Sequence, residues 1–93
     1  MKIAIDPAKD AINLAKHKLP LAYGILILSD PRAVHIPDSR FDYGEERFNC
    51  FGHVGKRLYV ATYHLRDETV RFISVRKANI REQRKYHHSH HQA

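Results

Sequence analysis

Cysteine, acidic residues and long apolar runs are all scarce in this sequence, and each shortage narrows what the chain can be. A single cysteine, Cys50, excludes a disulfide framework and a thiolate zinc cluster, and it suits a reducing cytosol. The longest apolar run, Leu19 to Leu28, is interrupted by Pro20 and Gly24 and falls short of the roughly 20 residues that span a bilayer. The N-terminus lacks the charged, apolar and small-residue order of a signal peptide. These absences lead to the expectation of a cytoplasmic protein with no membrane partner. Ten Asp and Glu face sixteen Lys and Arg, leaving a net charge of +6 and a pI near 9.7. A surplus of that kind favours a polyanion, nucleic acid before an anionic membrane.

What is present is enough for one modest core. The 93 residues are 43% apolar and include five Tyr and four Phe, which fits a single domain near the lower end of the usual size range. Lys2 to Ile5 reads as a short strand. Asp6-Pro7 then opens a helix through Lys18, with an N-cap acceptor and a proline at the first position. Ile12 and Leu19 share a face, so this helix is expected to be amphipathic. From Pro20, either a second helix or a β-strand fits Leu21 to Leu28. Ala33 to Ile36 is extended, and Pro37 to Glu45 reads as an exposed loop. Three strands follow, Arg47 to Val54, Arg57 to Arg66 and Thr69 to Arg76, separated by Gly55-Lys56 and Asp67-Glu68. A helix from Ile80 closes the domain, with Asn79 and Glu82 at capping-box spacing. Residues 1–86 are thus expected to form the domain, and 87–93 a flexible His-rich tail. Its histidines, in a mobile segment, promise incidental metal affinity rather than a site.

Strand register carries the functional argument. Two-residue loops at both turns place Phe48 opposite Tyr63, Cys50 opposite Ala61 and Arg47 opposite His64. They also place Tyr63 opposite Phe72 and His64 opposite Arg71. One face then carries Phe48, Cys50, Tyr59, Ala61, Tyr63, Leu65, Val70 and Phe72, a core face for helices. The other carries Arg47, Asn49, Thr62, His64 and Arg71, with Phe51, Val60 and Val75 towards the end that the last helix would cover. On this parity Ser74 and Arg76 fall on the core side.

Arg47, His64 and Arg71 therefore form a row across three strands. Adjacent like charges repel, and an anion between them relieves the repulsion. Guanidinium groups grip phosphate oxygens in bidentate fashion, and a histidine between them can exchange protons near neutral pH. Those groups suit phosphodiester cleavage by a neighbouring 2′-hydroxyl. The same row is also what the solvated side of a sheet looks like, or what a non-catalytic nucleic-acid-binding module would present.

Three groups of residues, in order along the chain, resemble the motifs of one known family. Asp6-Pro7-Ala8-Lys9 with Asn13 and Lys16-His17 resembles the opening D-P-x-K-x-x-x-N-x-x-K-H pattern. Asp30-Pro31 and Gly44-Glu45-Glu46-Arg47 resemble the middle block. Arg71-Phe72-Ile73-Ser74-Val75-Arg76-Lys77-Ala78, followed by Glu82, Arg84 and Tyr86, resembles the closing R-x-I-S-x-R-x-A…E-x-x-x-Y block. The family is that of the BrnT-type toxins, and the resemblance implies an α+β, RelE-like fold: an antiparallel sheet with two N-terminal helices packed on one face and a C-terminal helix. It implies a ribonuclease that needs no metal or other cofactor, inhibits translation and arrests growth. It also implies a ribbon-helix-helix antitoxin resembling BrnA, through which alone operator DNA is bound. A degenerate toxin kept as a co-repressor is the alternative. By position, Arg47, Arg71 and Arg76 become the candidate catalytic arginines, with Glu46, Tyr63, Ser74 and Glu82 in support. Glu46 could be a base or could orient Arg47, His64 is a general-base candidate by geometry, and Arg76 either reaches the site or pairs with Glu82. Arg66, Lys77, Arg81 and Arg84 are expected to attract RNA phosphates. His17 is expected to suit the end of the first helix, and Cys50 to be a buried small hydrophobe. The sequence departs from the pattern at Ile3 and Ile5, where an aromatic is usual, and in Leu19 to Leu28, which lacks the acidic F-E-E-A run near the antitoxin interface.

Overall fold

A computed structural model of the chain describes residues 2–38 and 46–91. The expected loop beyond Asp38, with Gly44 and Glu45, lies outside them, as do Gln92 and Ala93. Strand β1 (Lys2–Ala4) leads to helix α1 (Pro7–His17). The helix begins as its sequence dictates: Asp6 Oδ1 accepts from the Ala8 amide at 2.8 Å and Pro7 takes the first turn. It stops at Lys18, whose left-handed φ of 63° returns its amide to the Leu14 carbonyl at 2.9 Å.

The expected apolar face does not anchor α1. Ile12 and Leu14 are 66% and 50% exposed, and the buried residue is Asn13. Its carboxamide donates to the Val75 carbonyl at 2.9 Å and accepts from the Val75 amide at 3.0 Å. A further bond to the Leu19 carbonyl, at 2.8 Å, fixes the turn after the helix. A polar residue is tolerated there because each of these buried groups finds a partner. Of the two readings open for Leu21 to Leu28, the helical one holds, as α2 (Tyr23–Leu28).

Strands β2 (Val34–Pro37), β3 (Glu46–Val54), β4 (Arg57–Arg66) and β5 (Thr69–Lys77) follow, then helix α3 (Ile80–His91). The sheet runs β1-β5-β4-β3-β2. The expectation of an antiparallel sheet is corrected at one edge, where β1 lies parallel to β5 with Ile3 beside Val70. A three-residue strand paired with one more than sixty residues later leaves no turn signal between them. The class remains α+β. Asn79 and Glu82 form the capping box, with Asn79 N to Glu82 Oε1 at 2.9 Å and Glu82 N to Asn79 Oδ1 at 2.8 Å. The backbone stays helical through His91, over histidines expected in a flexible tail.

The sheet has apolar clusters on both faces. Leu21 and Ile27 pack on Cys50, Tyr59, Ala61, Tyr63, Phe72 and Val75. The approach is close: a Cβ on Gly52 would stand 2.4 Å from the Ile27 carbonyl oxygen. On the other face Tyr86 packs with Leu58, Val60 and Ala78, and its hydroxyl donates to the Arg32 carbonyl at 3.0 Å. Because α3 sits at the hairpin end of that face, its cluster stops short of Thr62 and His64. No helix among the described residues is long and apolar enough to cross a membrane.

Candidate functional site

Two tight turns build the site. Asp67 and Glu68 both have positive φ, 51° and 63°, and Gly55 has 63°. Left-handed residues in a two-residue loop match the twist of the flanking strands and fix their register. Arg47 stands opposite His64, and His64 opposite Arg71. Direct partners share a face, and strands lie about 4.8 Å apart, so both arginines rise beside the histidine. Arg47 and His64 are half-buried, with Arg47 Nε and His64 Nδ1 sealed from solvent, while Arg71 is exposed. A cleft of about 460 Å³ opens beside the row, between His64, Arg66 and Arg71 on one side and Asp6 and Lys9 on the other.

The register slips once, and the slip moves the four residues that end β5. Tyr63 pairs with Phe72, but Thr62 pairs with Ser74, leaving Ile73 as an extra residue in β5. Beyond this bulge every side chain changes face. Val75 is buried in the α2-side cluster. Ser74, opposite Thr62, and Arg76, opposite Val60, lie on the face of the row rather than on the core side expected from an unbroken strand. Arg76 resolves to the pairing with Glu82. Its Nη1 and Nη2 donate to Glu82 Oε1 and Oε2 at 2.8 and 2.9 Å. This fork, with the Asn79 amide, holds the Glu82 carboxyl below its ordinary pKa, and the carboxylate raises that of Arg76.

The remaining candidates divide by parity. Arg66 shares the row's face and lines the cleft. Glu46 pairs with Leu65 and Lys77 with Tyr59, so both alternate to the opposite face. Glu46 therefore starts from the face opposite Arg47. Arg81 borders a separate groove of about 280 Å³ floored by Val34, Ile36, Phe51 and Tyr86, and Arg84 is exposed on α3. Tyr63 belongs to the other face, where its hydroxyl lies 2.8 Å from His35 Nδ1. Cys50, 3.7 Å from His35 Nε2, is fully buried, and burial pushes its thiol up to about 12. At the end of α1, burial and then the charges of Lys16 and Arg76 lower the pKa of His17 and favour the neutral ring. Lys9 is the cleft residue to which sequence reasoning gives no role, although it stands in the D-P-x-K pattern. Among the described residues no three His, Cys, Asp or Glu side chains converge to hold a metal ion.

Comparison with curated proteins gives no match. A family model described as "Ribonuclease toxin, BrnT, of type II toxin-antitoxin system" matches residues 5–82. That span includes both early helices, the whole β3–β5 meander and the Arg76–Glu82 pair. The chain therefore belongs to the BrnT family of ribonuclease toxins, whose members are countered by an antitoxin.

Proposed function

We propose that this toxin cleaves RNA over the Arg47–His64–Arg71 row by attack of a 2′-hydroxyl on the adjacent phosphate. The observation that carries the reading is the register, which pairs His64 with Arg47 on one side and Arg71 on the other, with His64 and Arg71 lining a cleft. Arg47 and Arg71 grip the non-bridging oxygens and stabilise the charge that grows on the phosphorane. His64 takes the 2′-proton or returns one to the departing 5′-oxygen. The O2′–P bond forms as the P–O5′ bond breaks, leaving a cyclic phosphate and a 5′-hydroxyl. Arginines supply the positive charge that a metal ion would otherwise provide, and they repel a divalent cation from the same place. Arg76 is assigned a positioning role through Glu82, which ties the bulged end of β5 to α3. The reading extends to a RelE-like toxin acting on translation in the cytoplasm, held by a ribbon-helix-helix antitoxin resembling BrnA that alone contacts operator DNA.

The test is purified protein with RNA at low salt in excess EDTA. Cyclic or 3′-phosphate ends are expected, with kcat reduced about 100-fold or more in Arg47→Ala and in Arg71→Ala. Tight binding without cleavage would replace the enzyme with a binding module, and normal growth on expression of the chain alone would favour a co-repressor.

A further inference from the structure

A further cleft among the described residues has no role in the reaction just described. It lies between α1 and the bulged part of β5, measures about 190 Å³, and is lined by Lys9, Asn13, Lys16, His17, Ile73 and Ser74, with Ile12. Lys9 also lines the larger cleft beside His64 and Arg71. The two clefts thus meet at one lysine.

Asn13 determines how this groove is made. Its bonds to the amide and carbonyl of Val75 set α1 against the stretch of β5 that β1 does not cover. Lys9 and Lys16 stand four residues before and three after Asn13, so all three share one side of the helix. Seven residues of helix separate the two lysines by about 10 Å along the axis. The acidic groups of α1 are engaged elsewhere. Asp10 accepts from the Leu21 amide at 2.7 Å, and Asp6, which borders the larger cleft, accepts from the Ala8 amide. At the far end, His17 and Lys16 close the groove.

We infer that the α1–β5 groove is a second nucleic-acid-binding segment, in which Lys9 and Lys16 hold phosphates of single-stranded RNA flanking the one gripped by Arg47 and Arg71. The lane is narrow and basic, starts at the proposed cleavage row, and is long enough for more than one phosphate. Lysines suit it because a flanking phosphate needs charge rather than a fixed bidentate geometry. The inference rests on the proposed ribonuclease reading and adds to it the length of chain the enzyme grips.

The test measures affinity for 2′-O-methyl RNA oligonucleotides of three and eight residues, which bind without being cleaved. Wild type should gain affinity with length, and that gain should vanish in Lys9→Ala/Lys16→Ala, whose eight-residue complex weakens roughly tenfold. The slope of log affinity against log salt should fall by about 1.4 for that oligonucleotide, at about 0.7 for each phosphate that is no longer neutralised. Lys9→Arg/Lys16→Arg should restore both. Unchanged length dependence and slope in the alanine variant would overturn the inference while leaving the ribonuclease reading intact. So would retained RNA affinity with loss of antitoxin affinity, which would make the groove a protein-docking surface. A wild-type protein that neither binds nor cleaves RNA would instead overturn the parent reading.

Discussion

The carboxamide of Asn13 takes the place of a short strand, giving one donor and one acceptor to the same residue of β5 and a second donor bond to Leu19. Removing it leaves buried backbone groups of Val75 without their partner, at about 1–3 kcal/mol each. Asn13→Ala should therefore lower unfolding free energy by about 3 kcal/mol in urea titration. Asn13→Asp should not rescue it, because a carboxylate cannot donate to the two carbonyls. Glu82 is the other residue on which several interactions converge. Its folded pKa is depressed, first by Arg76, below the ordinary value of 4.5. The folded state therefore binds fewer protons there than the unfolded chain, and the contribution is complete above pH 4.5. It disappears as pH falls through the lower, folded value. Glu82→Gln should flatten the acid limb of the stability–pH curve while retaining the cap, because glutamine can still accept from Asn79. An unchanged acid limb would show that the fork contributes nothing.

Among the elements, the β3–β5 meander is the most legible part of the sequence. Turn residues sit at both bends, and a two-residue loop permits only one register for Arg47, His64 and Arg71. Asp67 and Glu68 nevertheless carry side chains into left-handed conformations that Asn-Gly adopts with less strain. Asp67→Asn/Glu68→Gly should raise stability in thermal unfolding by about 1 kcal/mol with the row intact. A loss of stability would mean that these side chains have another duty. The bulge at Ile73 is not legible, since no Gly or Pro marks it and the alternation Phe72, Ser74 reads as unbroken. That one residue reverses the expected faces of Ser74, Val75 and Arg76. The anchoring of α1 is hidden for a different reason. Apolar periodicity points to Ile12, whereas the group that holds the helix is a hydrogen-bonded Asn13, whose partner lies 62 residues away. The parallel pairing of β1 is equally remote from any local signal.

For the whole molecule, the +6 charge concerns association more than stability. Affinity for single-stranded RNA should fall with salt with a log–log slope of about 2.1 in magnitude, at about 0.7 for each of three phosphates, one in the arginine row and two at Lys9 and Lys16. A salt-independent affinity would separate binding from the arginine row altogether. Charge also bears on the antitoxin, because a partner that covers the row must bring acidic groups or leave the arginines repelling one another at close range. The family match covers the row and the capping box alike, so both lie within the shared domain.

Exposed strand margins invite other chains to add themselves, and proteins commonly blunt them. Here, next to the three residues of β1, the margin of β5 is stoppered at Val75 by a side chain instead of a neighbouring strand. On the opposite flank β2 ends in a proline, which has no amide hydrogen to offer. A foreign segment that tried to lengthen the sheet would meet a plug on one side and a missing donor on the other, so docking onto this toxin is steered towards its faces.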